Sequence, residues 1–123
     1  MITGEILADS KNQNVENCNL CGECILACPI YYVLKKESAG PRFKAFLAKK
    51  NSFNEIFFMC TDCNSCIMNC PAKINIGCFE IRQRLVNAGL ELPQNKIMRS
   101  NIKNFGNPFG DIKKGKKTTN YYT

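Results

Sequence analysis

Two stretches decide the reading: CNLCGECILACP at residues 18–29 and CTDCNSCIMNCP at residues 60–71. Each is a C-x-x-C-x-x-C-x-x-x-C-P run, and the second repeats the first at an offset of 42. Cys18, Cys21, Cys24, Cys28 and Pro29 return as Cys60, Cys63, Cys66, Cys70 and Pro71, while Ile25 returns as Ile67 and Leu26 as the similar Met68. Cysteines at i, i+3 and i+6 let one short loop reach three corners of a cubane, and backbone N–H groups along it stabilise negative sulfur. The fourth cysteine, ahead of the proline, points away; in chains with two such runs it ligates the other cluster. The pattern predicts two 4Fe–4S clusters with exchanged ligands. Cys18, Cys21, Cys24 and Cys70 hold the first, and Cys60, Cys63, Cys66 and Cys28 the second. The repeat also predicts an approximate two-fold relation between the loops.

Nine cysteines in 123 residues fit two contexts, a secreted disulfide scaffold or an intracellular metal protein. The N-terminus, MITGEILADSKNQNVEN, lacks the basic start and apolar stretch of a signal peptide. No segment approaches the roughly 20 apolar residues of a membrane-spanning helix. These features predict a cytoplasmic protein with no membrane span, and hence the metal context. Zinc and disulfides stay open as alternatives; zinc knuckles, however, use two cysteines each, not four followed by proline. The absence of histidine excludes Rieske ligation, Cys/His zinc sites and histidine acid–base chemistry.

The formal charge is +7 with neutral thiols. Two oxidised clusters, each 2− with its four thiolates, would bring it to about +3. That charge gives little support to a nucleic-acid partner, and none is predicted.

Three segments are expected: a polar arm over 1–14, one helical domain over 15–110, and a lysine-rich tail over 111–123 with Lys113, Lys114, Lys116 and Lys117. Pro29 starts a helix that Ile30 to Lys36 continue, and Pro41 starts the next. PRFKAFLAKK sets Phe43, Phe46 and Leu47 on one face. Asn51-Ser52 reads as the cap of a third helix, FNEIFFMC. CFEIRQRLVNA forms a fourth, closed by Gly89, with a stripe of Phe79, Ile81, Leu85, Val86 and Ala88 interrupted by Arg82. A last helix spans about Gln94 to Phe105, and no strand is predicted. The ninth cysteine, Cys78, reads as a small buried side chain whose thiol a helix N-terminus would acidify. Arg42, at a helix start that disfavours a cation, invites a cluster or an acidic neighbour. Tyr31, Tyr32, Phe57 and Phe58 are expected to fill the core and keep water from the clusters.

CNLCGECILACP and CTDCNSCIMNCP, separated by GPRFKAFLAKK and followed by IRQRLVNAGL and GNPFG, resemble the ferredoxin-like electron-transfer subunit of heterodisulfide reductase. They are equally similar to the N-terminal module of glycolate, lactate and glycerol-3-phosphate dehydrogenase iron–sulfur subunits. The resemblance covers about residues 15 to 110. It implies an all-α, α-helical ferredoxin fold with both loops embedded in helices, and the eight cysteines as ligands with no catalytic residue. Many relatives continue into Cys-Cys-Gly (CCG) domains, which this sequence lacks. The resemblance thus implies an electron-transfer subunit serving a separate CCG-domain catalytic subunit or flavoprotein, with any membrane association peripheral and through that partner. An iron–sulfur subunit of a flavin-linked dehydrogenase and a freestanding ferredoxin are the alternatives.

Overall fold

The computed structural model describes residues 2–3 and 14–113. Most of the predicted arm, and Lys114, Lys116 and Lys117 of the predicted tail, lie outside those residues. The chain forms two compact units, 1–89 and 90–123.

In the first unit, proline stands at the first position of α1 (Pro29–Leu34) and of α2 (Pro41–Lys49). There a missing N–H is harmless and the ring presets φ for the helix. Lys35, left-handed at φ 53°, ends α1 by donating its N–H to the Tyr31 carbonyl at 2.8 Å. α2 buries Lys44, Ala45, Leu47 and Ala48. Of the face expected to be buried, Leu47 is in the core and Phe43 packs against it, whereas Phe46, stacked on Phe43 with centroids 6.2 Å apart, is exposed. The small Ala45 and Ala48 side makes the close approach instead.

FNEIFFMC does not form the predicted helix. Ser52–Phe53 (β2) pairs antiparallel with Ile2–Thr3 (β1), matching Phe53 with Ile2 and Ser52 with Thr3. The cap falls at Asn54, whose Oδ1 accepts the Ile56 N–H at 2.9 Å and starts a single 3-10 turn, Glu55–Phe58. Left-handed Asn51 (φ 50°) and extended Asn54 (φ −151°) hold the chain away from helix until that point. This two-residue ladder is the only strand pairing among the described residues, and the fold is otherwise helical.

Two further helices, α3 (Ser65–Met68) and α4 (Cys78–Asn87), complete the unit. Gly89, at φ +85°, closes α4 as expected, with its N–H on the Val86 carbonyl at 3.0 Å. α4 turns Ile81 and Leu85 into the core, but Phe79, predicted in the same stripe, is exposed. The core joins those two to Ala45, Leu47 and Ala48 of α2, to Phe53 and Phe57, and to Ile74 and Ile76. Phe57 is fully buried, as expected of it, and Phe58 packs against the same cluster. Tyr32 is not part of it; its ring is exposed beneath Lys35 Nζ, 4.1 Å away.

The second unit is built on α5 (Pro93–Phe105), again with proline first. Arg99 pairs with Glu91 at 2.8 Å. The GNPFG turn is held by Asn101 Nδ2, donating to the Pro108 carbonyl at 2.9 Å, and by Asn107 Oδ1, accepting the Phe109 N–H at 2.9 Å. Among the described residues, no helix is long and apolar enough to cross a membrane.

Candidate metal centre

The two cysteine runs repeat in conformation as well as sequence. Leu20 (φ 61°) and Gly22 (φ 88°) in the first are left-handed, and so are Asp62 (φ 56°) and Asn64 (φ 60°), their counterparts in the second. The hydrogen bonds repeat too. Ile25 N–H reaches the Gly22 carbonyl at 3.0 Å and Cys28 N–H the Ile25 carbonyl at 3.1 Å; Ile67 to Asn64 and Cys70 to Ile67 measure 3.0 and 3.2 Å. A left-handed residue costs about 1–2 kcal/mol for an ordinary side chain, so Leu20 and Asp62 are held by the loop around them. Such turns bring successive N–H groups to one concave side, where they favour anions. Asp62 N–H already donates to Cys60 Sγ, at 3.4 Å.

After the runs the local likeness stops. Pro29 opens α1, whereas Pro71 is followed by a turn and the Ile74–Ile76 core segment.

The eight predicted cysteines line two cavities. Cys60, Cys63 and Cys66 meet Cys28 around one of about 330 Å³. Cys18, Cys21 and Cys24 meet Cys70 around one of about 60 Å³. Each fourth cysteine thus stands with the three of the other run. Cys66 borders both cavities, so they are neighbours. All nine cysteines are free of disulfides.

Basic side chains that the sequence pattern does not single out fasten these loops. Lys49 Nζ, at the end of α2, donates to the Cys18 carbonyl at 2.6 Å. Arg82 Nη1, on α4, donates to the Cys60 carbonyl at 2.7 Å, and its Nη2 pairs with Asp62. Arg82 is legible in the sequence only as the one charge in an apolar stripe. Lys44 is buried at 2% exposure and donates to the carbonyls of Ala39 and Met59. Asn14 joins the ends of the site: its Nδ2 donates to the Lys73 carbonyl at 3.2 Å and its Oδ1 accepts the Asn75 N–H at 2.7 Å.

Arg42 finds the acidic neighbour, pairing with Glu37, and also lines the smaller cavity. A Cβ on Gly22 would lie 2.9 Å from Arg42 Nη1, so this close approach and the positive φ both call for glycine.

Cys78 lines the larger cavity and hydrogen-bonds Cys60. Its thiol is raised well above the usual range by that bond and by burial, the reverse of the acidification expected from a helix N-terminus. Cys60 is the lowered partner, held down to about 6 by the Cys78 hydrogen bond, with Lys44 and Arg82 adding to it against the effect of burial. Burial pushes Cys24 up to about 11 and raises Cys66, while hydrogen bonding from Ser65 lowers the exposed Cys63.

This donor set suits a thiolate-bound polynuclear cluster. A single bound particle of water size needs only about 10–15 Å³, far less than either cavity. Among the described residues no three Cys, Asp or Glu side chains converge as a single ion requires. The cysteines line the two cavities, with low-dielectric core on one side: Cys18, Cys70 and Cys78 pack directly on the hydrophobic cluster.

Comparison with known proteins agrees. Residues 14–74 match the model of the 4Fe-4S dicluster domain. Pyruvate-flavodoxin oxidoreductase of Trichormus variabilis is 29% identical over 98 residues, which cover 68% of this chain and 8% of that protein. The enzyme of the same name from a Nostoc species is 31% identical over 98 residues, with the same 68% and 8% coverage. The glycolate oxidase iron-sulfur subunit of Escherichia coli is 28% identical over 90 residues, covering 67% of this chain and 21% of that subunit. The chain therefore spans only a small part of the curated relatives it matches. No solved structure matches it at comparable significance. With the cysteines of both runs lining two neighbouring cavities, residues 14–74 are similar to a 4Fe-4S dicluster domain, a likeness that supports electron transfer.

Proposed function

We propose that this chain is the electron-transfer subunit of a larger oxidoreductase, relaying electrons through two 4Fe–4S clusters. One is held by Cys18, Cys21, Cys24 and Cys70, the other by Cys60, Cys63, Cys66 and Cys28. The observation that carries the reading is the grouping of the thiols: Cys28 lines the cavity of Cys60, Cys63 and Cys66, and Cys70, with Cys66 at the shared border, lines that of Cys18, Cys21 and Cys24. Clusters of this kind, when bound, supply one-electron chemistry at potentials set by their surroundings. The chain's own part is to hold the thiolates, direct N–H groups at sulfur, exclude water and keep the two sites adjacent.

The partner is a separate catalytic subunit of the CCG-domain, heterodisulfide reductase-like kind, or a flavoprotein, in the cytoplasm. The likeness of CNLCGECILACP, CTDCNSCIMNCP and the GPRFKAFLAKK between them to the heterodisulfide reductase subunit supports this reading. A second reading, the iron–sulfur subunit of a flavin-linked dehydrogenase of a small hydroxy acid or glycerol phosphate, is favoured by the similarity to the glycolate oxidase subunit.

Anaerobic purification with iron and sulfide analysis tests the core of the proposal. About eight of each per chain is expected for two cubanes; a colourless zinc-loaded protein would sink it. Isolating the chain from its native source under anaerobic conditions, and identifying the polypeptide that comes with it, distinguishes the two partners. A CCG-domain protein supports the first reading and a flavin dehydrogenase the second.

A further inference from the structure

Lys44 fastens the site through backbone carbonyls, contacts that leave its charge unpaired. It is 2% exposed, on α2, and lines the larger cavity beside Cys28, Cys60 and Cys66. Its Nζ donates to two neutral acceptors, the carbonyls of Ala39 and Met59, and no carboxylate pairs with it among the described residues. A buried cation with only neutral partners is costly, so its position calls for a negative charge close by. The larger cavity is where the four thiolates of the second run's site gather.

The arginines at the two sites are neutralised, and Lys49, on the Cys18 carbonyl of the first run, is only partly buried and so better screened. Arg42, at the smaller cavity, pairs with Glu37, and both side chains are partly exposed. Arg82, behind Cys60, pairs with Asp62. Each cavity also has one exposed glutamate at its rim, Glu80 at the larger and Glu23 at the smaller, so these offset each other in a comparison. Lys44 is thus the fully buried, poorly screened cation among these groups, and it lines the larger cavity only. Adding an electron makes a cluster more negative, so a nearby fixed cation favours its reduced form.

We propose that Lys44 is a positioning residue for electrons: its buried ammonium raises the reduction potential of the cluster on Cys60, Cys63, Cys66 and Cys28, which therefore takes the first electron. The inference rests on the two-cluster reading above. It gives the relay a direction of fall, with the second run's cluster as the sink and the first run's cluster as the donor within the chain.

The test is an EPR-monitored redox titration of the full chain, with iron and sulfide measured on every sample. A wild-type chain that loads fewer than two clusters overturns the two-cluster reading and this inference together. Given two clusters, Cys21→Ser and Cys63→Ser mark the centres, since these are equivalent exposed positions of the two runs. The signal that appears first on reduction should be the one altered by Cys63→Ser; finding it altered by Cys21→Ser instead overturns the proposal. Lys44→Gln, which keeps a donor and removes the charge, should lower the midpoint of that first centre and narrow the gap to the second. Lys44→Arg should preserve order and gap. An unchanged gap in a Lys44→Gln protein that holds both clusters overturns the proposal while leaving the two-cluster reading intact. Should Lys44→Gln fail to load its clusters, the order read from the two serine variants decides alone.

Discussion

Arg82 of α4 reaches back 22 residues to hold the Cys60 carbonyl at 2.7 Å, and with its other nitrogen it grips Asp62 two positions further on. Lys49 of α2 does the same for Cys18, the equivalent cysteine of the first run. Each run is thus fastened at its first cysteine, by a cation from a helix that packs in the core. The contacts lie on backbone carbonyls, so the thiols stay available. A loop with unusual φ angles gains a fixed starting point from which its later cysteines are aimed.

Arg82→Ala should therefore cost about 1.5–3 kcal/mol, the usual range for a hydrogen bond to a charged group. The loss should fall on the second run. Anaerobic denaturation of the loaded protein would report the first effect, and EPR of the reduced protein the second. An unchanged second-run signal would show that Arg82 does not hold the loop.

Ligand exchange between runs makes a sharper prediction. Cys70→Ala removes a residue of the second run but should damage the first run's cluster, and Cys28→Ala should do the converse. Marking one centre with Cys21→Ser in each background identifies which signal is lost. Damage confined to the mutated run would contradict the exchanged ligand sets.

Gly22→Ala should disturb the first run alone. The added methyl meets Arg42 Nη1 at 2.9 Å at a residue with φ +88°, and the backbone term by itself is about 1–2 kcal/mol. Iron content should fall toward one cluster per chain. The double variant Gly22→Ala, Arg42→Ala should recover part of the loss, because it relieves the contact but not the dihedral.

With the clusters removed, the thiols of the folded chain should differ in reactivity. Cys60 is held down to about 6 and Cys24 pushed up to about 11, and thiolate is the reactive form. At a pH of about 7.5, between those two values, iodoacetamide should label Cys60 well before Cys24, as mass spectrometry of peptides would show. The sign for stability follows the lowered value. The contribution of Cys60 to the cluster-free fold is complete above the ordinary thiol pKa and is lost as pH falls through about 6. Labelling of Cys24 first would mean that the Cys60–Cys78 hydrogen bond is absent.

The cysteine pattern made the chemistry legible because its spacing answers to a rigid inorganic object. Proline and glycine marked α1, α2, α4 and α5 for the same kind of reason, since they restrict φ locally. Where the outcome depended on distant packing, the sequence was silent. FNEIFFMC carries apolar residues suited to several conformations, and the pairing of Phe53 with Ile2 is decided across the chain. Periodicity assigns Phe46 and Phe79 inward, yet both are exposed, and on α2 the core takes the smaller Ala45 and Ala48. Lys44 and Lys49 give no signal in the sequence, because a lysine in a helix ordinarily reads as a solvated face, and Arg82 gives only its place in an apolar stripe. Only the fold shows that their side chains end on the carbonyls of Met59, Cys18 and Cys60.

Asn14 has a consequence for how the protein is made. It precedes the first run, yet its side-chain partners are Lys73 and Asn75, beyond the second. While the ribosome is still synthesising the chain, the first run therefore emerges without the anchor for its entrance, and on the proposed ligand sets without Cys70. Neither metal site is complete until the later run has followed. On those ligand sets iron and sulfide would enter a finished domain rather than a growing one, and a chain interrupted between the runs would be left with open thiols and no complete site.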